Sequence, residues 1–165
     1  MRALSTMAEG IKPSLTRTLF NMAKAYDDVI DFTLGDPDVP THQKIKDAGC
    51  KAIQDSKTRY SQNAGLVELR NVISDYYIRK EGFEYDPISE IMVTVGAMEG
   101  LYLALLSITN PGDEYIIPAP YYVNYGQMVH MCGGIPVIVD KPSEEPLTFR
   151  IEDIEAAITP KTKAI

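Results

Sequence analysis

No stretch of these 165 residues approaches the run of about 20 apolar residues that a membrane helix requires. The start, Met1 to Gly10, carries one arginine and no apolar run of signal-peptide length, so a cytoplasmic chain without a membrane partner is expected. Cysteine is scarce: Cys50 and Cys132 stand far apart, which gives no disulfide framework and suits a reducing compartment. Basic residues are outnumbered, with 16 Lys and Arg against 23 Asp and Glu and a net charge of −7. Such a chain repels phosphate backbones, so nucleic acid is not an expected partner. His42 and His130 are too widely spaced for a local metal pair, and neither cysteine has a second ligand at zinc spacing. There is no Gly-x-Gly-x-x-Gly, no Walker-type Gly-Lys-Ser/Thr and no Gly-x-Ser-x-Gly elbow. No lysine lies in an apolar run that would depress its pKa for Schiff-base chemistry.

What remains is a globular composition, 45% hydrophobic and 24% charged. Leu15, Leu19, Met22 and Tyr26 recur at helical spacing, predicting a helix over 13–27 with Pro13 in its first turn. Val29 to Leu34 reads as a strand, closed by the turn-rich 35–40. Thr41 is placed to cap a helix over 43–55, with Ile45, Ala48, Ala52 and Ile53 inward. A helix over 65–79 is expected to bury Leu66, Leu69, Ile73, Tyr76 and Tyr77. Further on, strands over 91–95, 115–117 and 135–139 alternate with helices over 97–108, 121–132 and 151–158, and residues 110–113 form a turn. The chain closes on an apolar run approaching Ile165. Alternation of this kind predicts an α/β layer with a mostly parallel sheet, whose ligands bind at the carboxyl ends of the strands. The loops 96–99 and 118–125 lie at such ends. The Glu144-Glu145 pair reads as a solvated loop.

Gly96-Ala97-Met98-Glu99 sits at a strand-to-helix junction. A glycine there admits a ligand to the backbone, and first-turn N–H groups attract anions; the plainer reading is a tight turn. Pro120-Tyr121-Tyr122-Val123-Asn124-Tyr125 offers a ring that could stack on a flat cofactor, or simply pack a helix start. Tyr60, in the polar run 59–65, could donate to a phosphate or pin a loop.

The order of these pieces is more specific than any one of them. Lys12-Pro13-Ser14, Gly35-Asp36-Pro37-Asp38, Tyr60 with Gly65-x-x-x-Leu69-Arg70, Val93-Thr94-Val95-Gly96-Ala97, Asn110-Pro111-Gly112-Asp113, Pro118 to Tyr125, and Ile158 to Ala164 follow one another at familiar spacing. Over residues 12–165 the chain resembles the amino-terminal part of class I, aspartate-aminotransferase-like, fold type I pyridoxal-phosphate enzymes.

The resemblance implies an N-terminal arm and small-domain segment over 1–40 and a truncated cofactor-binding large domain over 41–165. It implies that Gly35 meets the substrate α-carboxylate, and that Gly96, Ala97 and Met98 hold the cofactor phosphate. Tyr122 would stack on the pyridine ring, where close relatives usually have Trp. Tyr60 would reach the phosphate of the neighbouring subunit in a homodimer. The implied reaction is amino-group transfer between an amino acid and a 2-oxo acid, with pyridoxal 5'-phosphate as cofactor. Met98 stands where aspartate-type relatives often carry Lys, which points toward an apolar or aromatic amino acid. The family's Asn-Pro-x-Asn-Pro-Thr-Gly motif, ring-nitrogen Asp, Schiff-base Lys and carboxylate-binding Arg all fall beyond Ile165. No catalytic residue is therefore expected in this chain, which corresponds to roughly two-fifths of a family-length enzyme and is expected to be inactive alone. A lyase or synthase of the same fold, and a non-catalytic α/β binding fragment, are the alternatives; the Gly35-Asp36-Pro37-Asp38 turn favours the aminotransferase over the lyase branch.

Overall fold

The structure, a computed structural model, describes residues 3–11, 14–30, 32–33, 35, 37–140 and 149–165. Pro13, Asp31, Leu34, Asp36, Glu144 and Glu145, which enter the expectations above, lie outside them. The chain divides into two compact units, one of residues 1–35 with 101–165 and one of residues 36–100.

In the first unit, α1 (Thr6–Gly10) and α2 (Leu15–Ala23) start from serine caps, Ser5 and Ser14, whose hydroxyls accept from Ala8 and Arg17 N–H. Three parallel strands follow: β1 (Glu114–Pro118), β2 (Ile135–Val139) and β3 (Thr162–Ala164), in the order β2-β1-β3. Helices α6 (Asn124–Met131) and α7 (Ile151–Ala157) make the crossovers. The expected turn at 110–113 is present, closed by Asp113, whose carboxylate accepts from Asn110 N–H at 2.8 Å. As the central strand, β1 buries Tyr115, Ile116 and Ile117; Tyr115 and Ile117 pack with Val129 of α6, and Met128 of the same helix is also buried. A left-handed Gly133 stops α6, and the chain turns from β1 toward α6 through a cis Ala119–Pro120 bond. Both cysteines are free, and burial pushes the Cys132 thiol up.

The second unit holds α3 (Gln43–Gln54) and α4 (Val67–Glu81). A third helix, α5 (Gly96–Ile108), begins in this unit and continues into the first. The cap of α3 is His42, whose Nδ1 accepts from Lys44 N–H at 3.2 Å, and not Thr41. A left-handed Gly82 ends α4.

Several expectations fail here for physical reasons. Among the described residues, 29–34 and 91–95 form no strand. A strand exists only where a neighbour completes its ladder; Val93 N–H donates to the Ala64 carbonyl at 3.0 Å, and among the described residues no ladder forms there. The apolar positions Leu15, Leu19, Met22, Tyr26, Ile45 and Ile53 are exposed. So are Leu66, Leu69, Tyr76 and Tyr77; the buried residues of α4 are instead Arg70 and Ser74. That face of the helix meets main-chain carbonyls of the 85–88 turn, which require donors rather than methyl groups. Among the described residues, no helix is long and apolar enough to cross a membrane.

Candidate functional site

Gly96 opens α5 with φ +75°, a left-handed conformation that favours glycine. Apart from its chain neighbours and the helix's own backbone, no atom of the described residues lies within 4 Å of where a Cβ would stand, so that side of the turn is open. The turn is fixed from both sides: Gly96 N–H donates to the Thr94 carbonyl at 2.9 Å, and the Thr94 hydroxyl donates to the Gly96 carbonyl at 2.9 Å. Glu99 reaches back from the first turn to accept the Val95 N–H. Ala97 is exposed and Met98 half-buried. The result is a hydrogen-bonded start to a 13-residue helix, with an open face of the kind a phosphate can approach.

Tyr60 lies in the same unit, on the segment between α3 and α4, and its ring is fully exposed. The segments carrying Tyr60 and Gly96 are joined where Val93 meets residues 64 and 65. Gly65, at φ +91°, packs so closely on Val93 that a Cβ would fall 2.8 Å from the Val93 Cβ. On the other flank, Arg70 is 4% exposed. Its Nη1 donates to the carbonyls of Pro87 and Ile88 at 2.8 and 3.1 Å, and its Nη2 to Gln62 Oε1 at 2.9 Å. Asp86 closes the turn that Arg70 grips. Its carboxyl accepts from the Ser89 hydroxyl and the Ile88 N–H, and these bonds hold it below the usual carboxylate range.

Gly35 and Tyr122 belong to the other unit. Gly35 is exposed, and among the described residues no atom lies within 4 Å of a Cβ position there. Tyr122 follows the carboxyl end of β1, is 54% exposed, and meets Tyr125 edge-on with ring centroids 5.6 Å apart. It borders an open concavity of about 630 Å³. Leu105, Ile108, Tyr115, Ile117 and Met128 line it, and among the described residues its polar side chains are phenols.

Sequence reasoning singled out Tyr60 and Gly96 but not the anchors beneath them. Arg70 was visible only as the end of the Gly65-x-x-x-Leu69-Arg70 motif; a signal was its place between Leu69 and Ile73, on a helix side expected to be buried. Gln62 gave no signal, because an exposed polar loop residue is ordinary.

A family model for aminotransferase class I and II matches residues 27–165. The chain belongs to that family. Aspartate/prephenate aminotransferase of Cereibacter sphaeroides is 41% identical over 99% of this chain and 42% of its own length. Aromatic-amino-acid aminotransferase 2 of Thermococcus litoralis is 33% identical over 99% of the chain and 42% of its own. The crystal structure of the aspartate aminotransferase from Rhizobium meliloti superposes with a TM-score of 0.89 at 32% identity, over 98% of this chain and 41% of that one. The chain thus spans about two-fifths of the length of the aminotransferases it matches. Aminotransferases of this class depend on pyridoxal phosphate, and the parallel α/β sheet is that of a partial fold type I domain.

Proposed function

We propose that the full-length polypeptide transfers an amino group between an amino acid and a 2-oxo acid, with pyridoxal 5'-phosphate as its cofactor. The observation that carries this reading is the turn at the start of α5, in a chain of the aminotransferase family: a left-handed glycine, an open face and a fixed first helical turn. When bound, the cofactor acts as the electron sink for bond-breaking at the substrate α-carbon. The chain's own residues bind and orient. Since Gly96 N–H is taken by the Thr94 carbonyl, Gly96 serves through its conformation and its missing side chain. Ala97 and Met98 then present the helix start to the phosphate dianion, whose charge the helix dipole favours.

Tyr122 supplies the face on which the pyridine ring stacks. A phenol offers less area than an indole, so ring contact contributes less here than in relatives with Trp. Gly35, with open space at its α-carbon, lets the substrate α-carboxylate approach the backbone. Tyr60 projects from its unit with nothing of its own to cover it, which suits a residue serving the neighbouring subunit of a homodimer. Residues 1–40 act as arm and small-domain segment and 41–165 as part of the large domain, in a cytoplasmic enzyme. Relatives are named for aspartate/prephenate and for aromatic amino acids. Met98, an apolar side chain at the start of α5, favours an apolar or aromatic amino acid over aspartate.

The test is cofactor replacement. Full-length protein stripped of cofactor should lose amino transfer and regain it with pyridoxal 5'-phosphate, but not with pyridoxal at the same concentration. Equal recovery with both would remove the phosphate turn from the account.

A further inference from the structure

Arg70 is the most deeply buried charged side chain among the described residues, and its bonds run to no carboxylate. One arm of its guanidinium holds two carbonyls of the 85–88 turn; the other holds the side-chain amide of Gln62. A planar fork can bridge two segments in fixed geometry in a way an ammonium cannot. The second segment is the one that carries Tyr60. On its N-terminal side the chain is fixed by Lys57 N–H to the Ala52 carbonyl at 2.9 Å. On its C-terminal side the Gln62 carbonyl accepts from Gly65 N–H at 2.9 Å. Among the described residues, no hydrogen bond holds residues 58–61, so the Gln62 side chain is the first side-chain anchor after Tyr60.

We infer that Arg70, acting through Gln62, is a positioning residue that sets where the Tyr60 phenol can reach. The inference rests on the reading of Tyr60 as a ligand to the neighbouring subunit's phosphate. Without the Gln62 amide on Arg70, residues 58–62 would sample many conformations, and the phenol would pay the entropy of ordering each time it bound. Because Gln62 is exposed, water can replace the lost bond at Arg70, and the fold of the unit is spared.

The experiment uses the full-length protein and four variants: Gln62→Ala, Gln62→Glu, Tyr60→Phe, and Tyr60→Phe with Gln62→Ala. The readouts are the dissociation constant for pyridoxal 5'-phosphate, kcat at saturating cofactor, and the thermal midpoint. Q62A is expected to weaken cofactor binding about tenfold, the order of the entropy cost of fixing one freed residue. Its kcat and thermal midpoint should stay close to those of the unaltered protein. Q62E keeps an acceptor for Arg70 and should restore tight binding. Y60F should weaken binding, and the double variant should bind no more weakly than Y60F, because Gln62 has no phenol left to place. If Q62A weakens the Y60F protein by its full factor, Gln62 acts independently of Tyr60 and the inference is overturned while the Tyr60 reading stands. If Y60F alone has no effect, the Tyr60 reading fails and the inference falls with it.

Discussion

Gly65 lies against Val93 so closely that a methyl group on its α-carbon would stand 2.8 Å from the Val93 Cβ and 2.9 Å from its Cγ2. Its φ of +91° adds a second reason for glycine at this position. Gly65→Ala should therefore destabilise the protein by about 1–3 kcal/mol, through strain at a left-handed position plus a steric overlap. The check is urea unfolding of the full-length protein. Adding Val93→Ala removes the Cγ2 contact but keeps the Cβ, so it should recover only part of the steric cost, and a double variant as stable as the unaltered protein would show that neither the remaining overlap nor the backbone angle costs anything.

The hydroxyl of Thr109 stands 2.6 Å from that of Tyr115 and donates to the Leu105 carbonyl at 2.6 Å. A hydroxyl has one proton, so the Tyr115 phenol must be the donor between the two. Tyr115→Phe removes one bond and should cost about 1 kcal/mol. Thr109→Val removes both and should cost more, since it leaves a buried phenol without an acceptor. Equal unfolding midpoints for the two variants would contradict this arrangement.

Asp86 gives the turn at 86–90 a pH dependence with a definite sign. The Ser89 hydroxyl and the Ile88 N–H bind its ionised form, so its pKa in the folded chain lies below that in the unfolded chain. The stabilisation is complete above the ordinary carboxylate range and is lost as pH falls through the depressed value. Amide exchange at 86–90 should accelerate on acidification below about pH 4 relative to Asp86→Asn, which should show no such step. A step of the same size in both proteins would assign it to another group.

The parts of the fold that local sequence dictates were legible. Asn110-Pro111-Gly112-Asp113 has the chemistry of a turn and forms one, and Gly133 stops α6. The strand at 135–139 combines β-branched residues with flanking turn signals, and it pairs in parallel with β1. What local sequence does not encode is whether a ladder partner is at hand. Ile91 to Val95 has the composition of a strand, yet among the described residues it joins no ladder; Val93 N–H bonds the Ala64 carbonyl and the Thr94 carbonyl accepts from Gly96 N–H. The apolar pattern of α4 points to Leu66 and Leu69, but the face it buries is that of Arg70 and Ser74. The decisive neighbours there are carbonyls 11 to 18 residues away, which a periodicity of 3.6 does not register. For the same reason Gly96 and Tyr60 were visible as candidates while Gln62, which touches Arg70, was not.

Amino transfer moves nitrogen from one carbon skeleton to another, and an isotope of nitrogen follows it. Full-length protein with pyridoxal 5'-phosphate is given ¹⁵N-labelled amino acids, aromatic, apolar and acidic in turn, together with an unlabelled 2-oxo acid. ¹⁵N should appear in the amino acid formed from that 2-oxo acid, with an aromatic or apolar donor used more readily than aspartate. Label recovered as free ammonium, or left entirely on the donor, would contradict amino transfer.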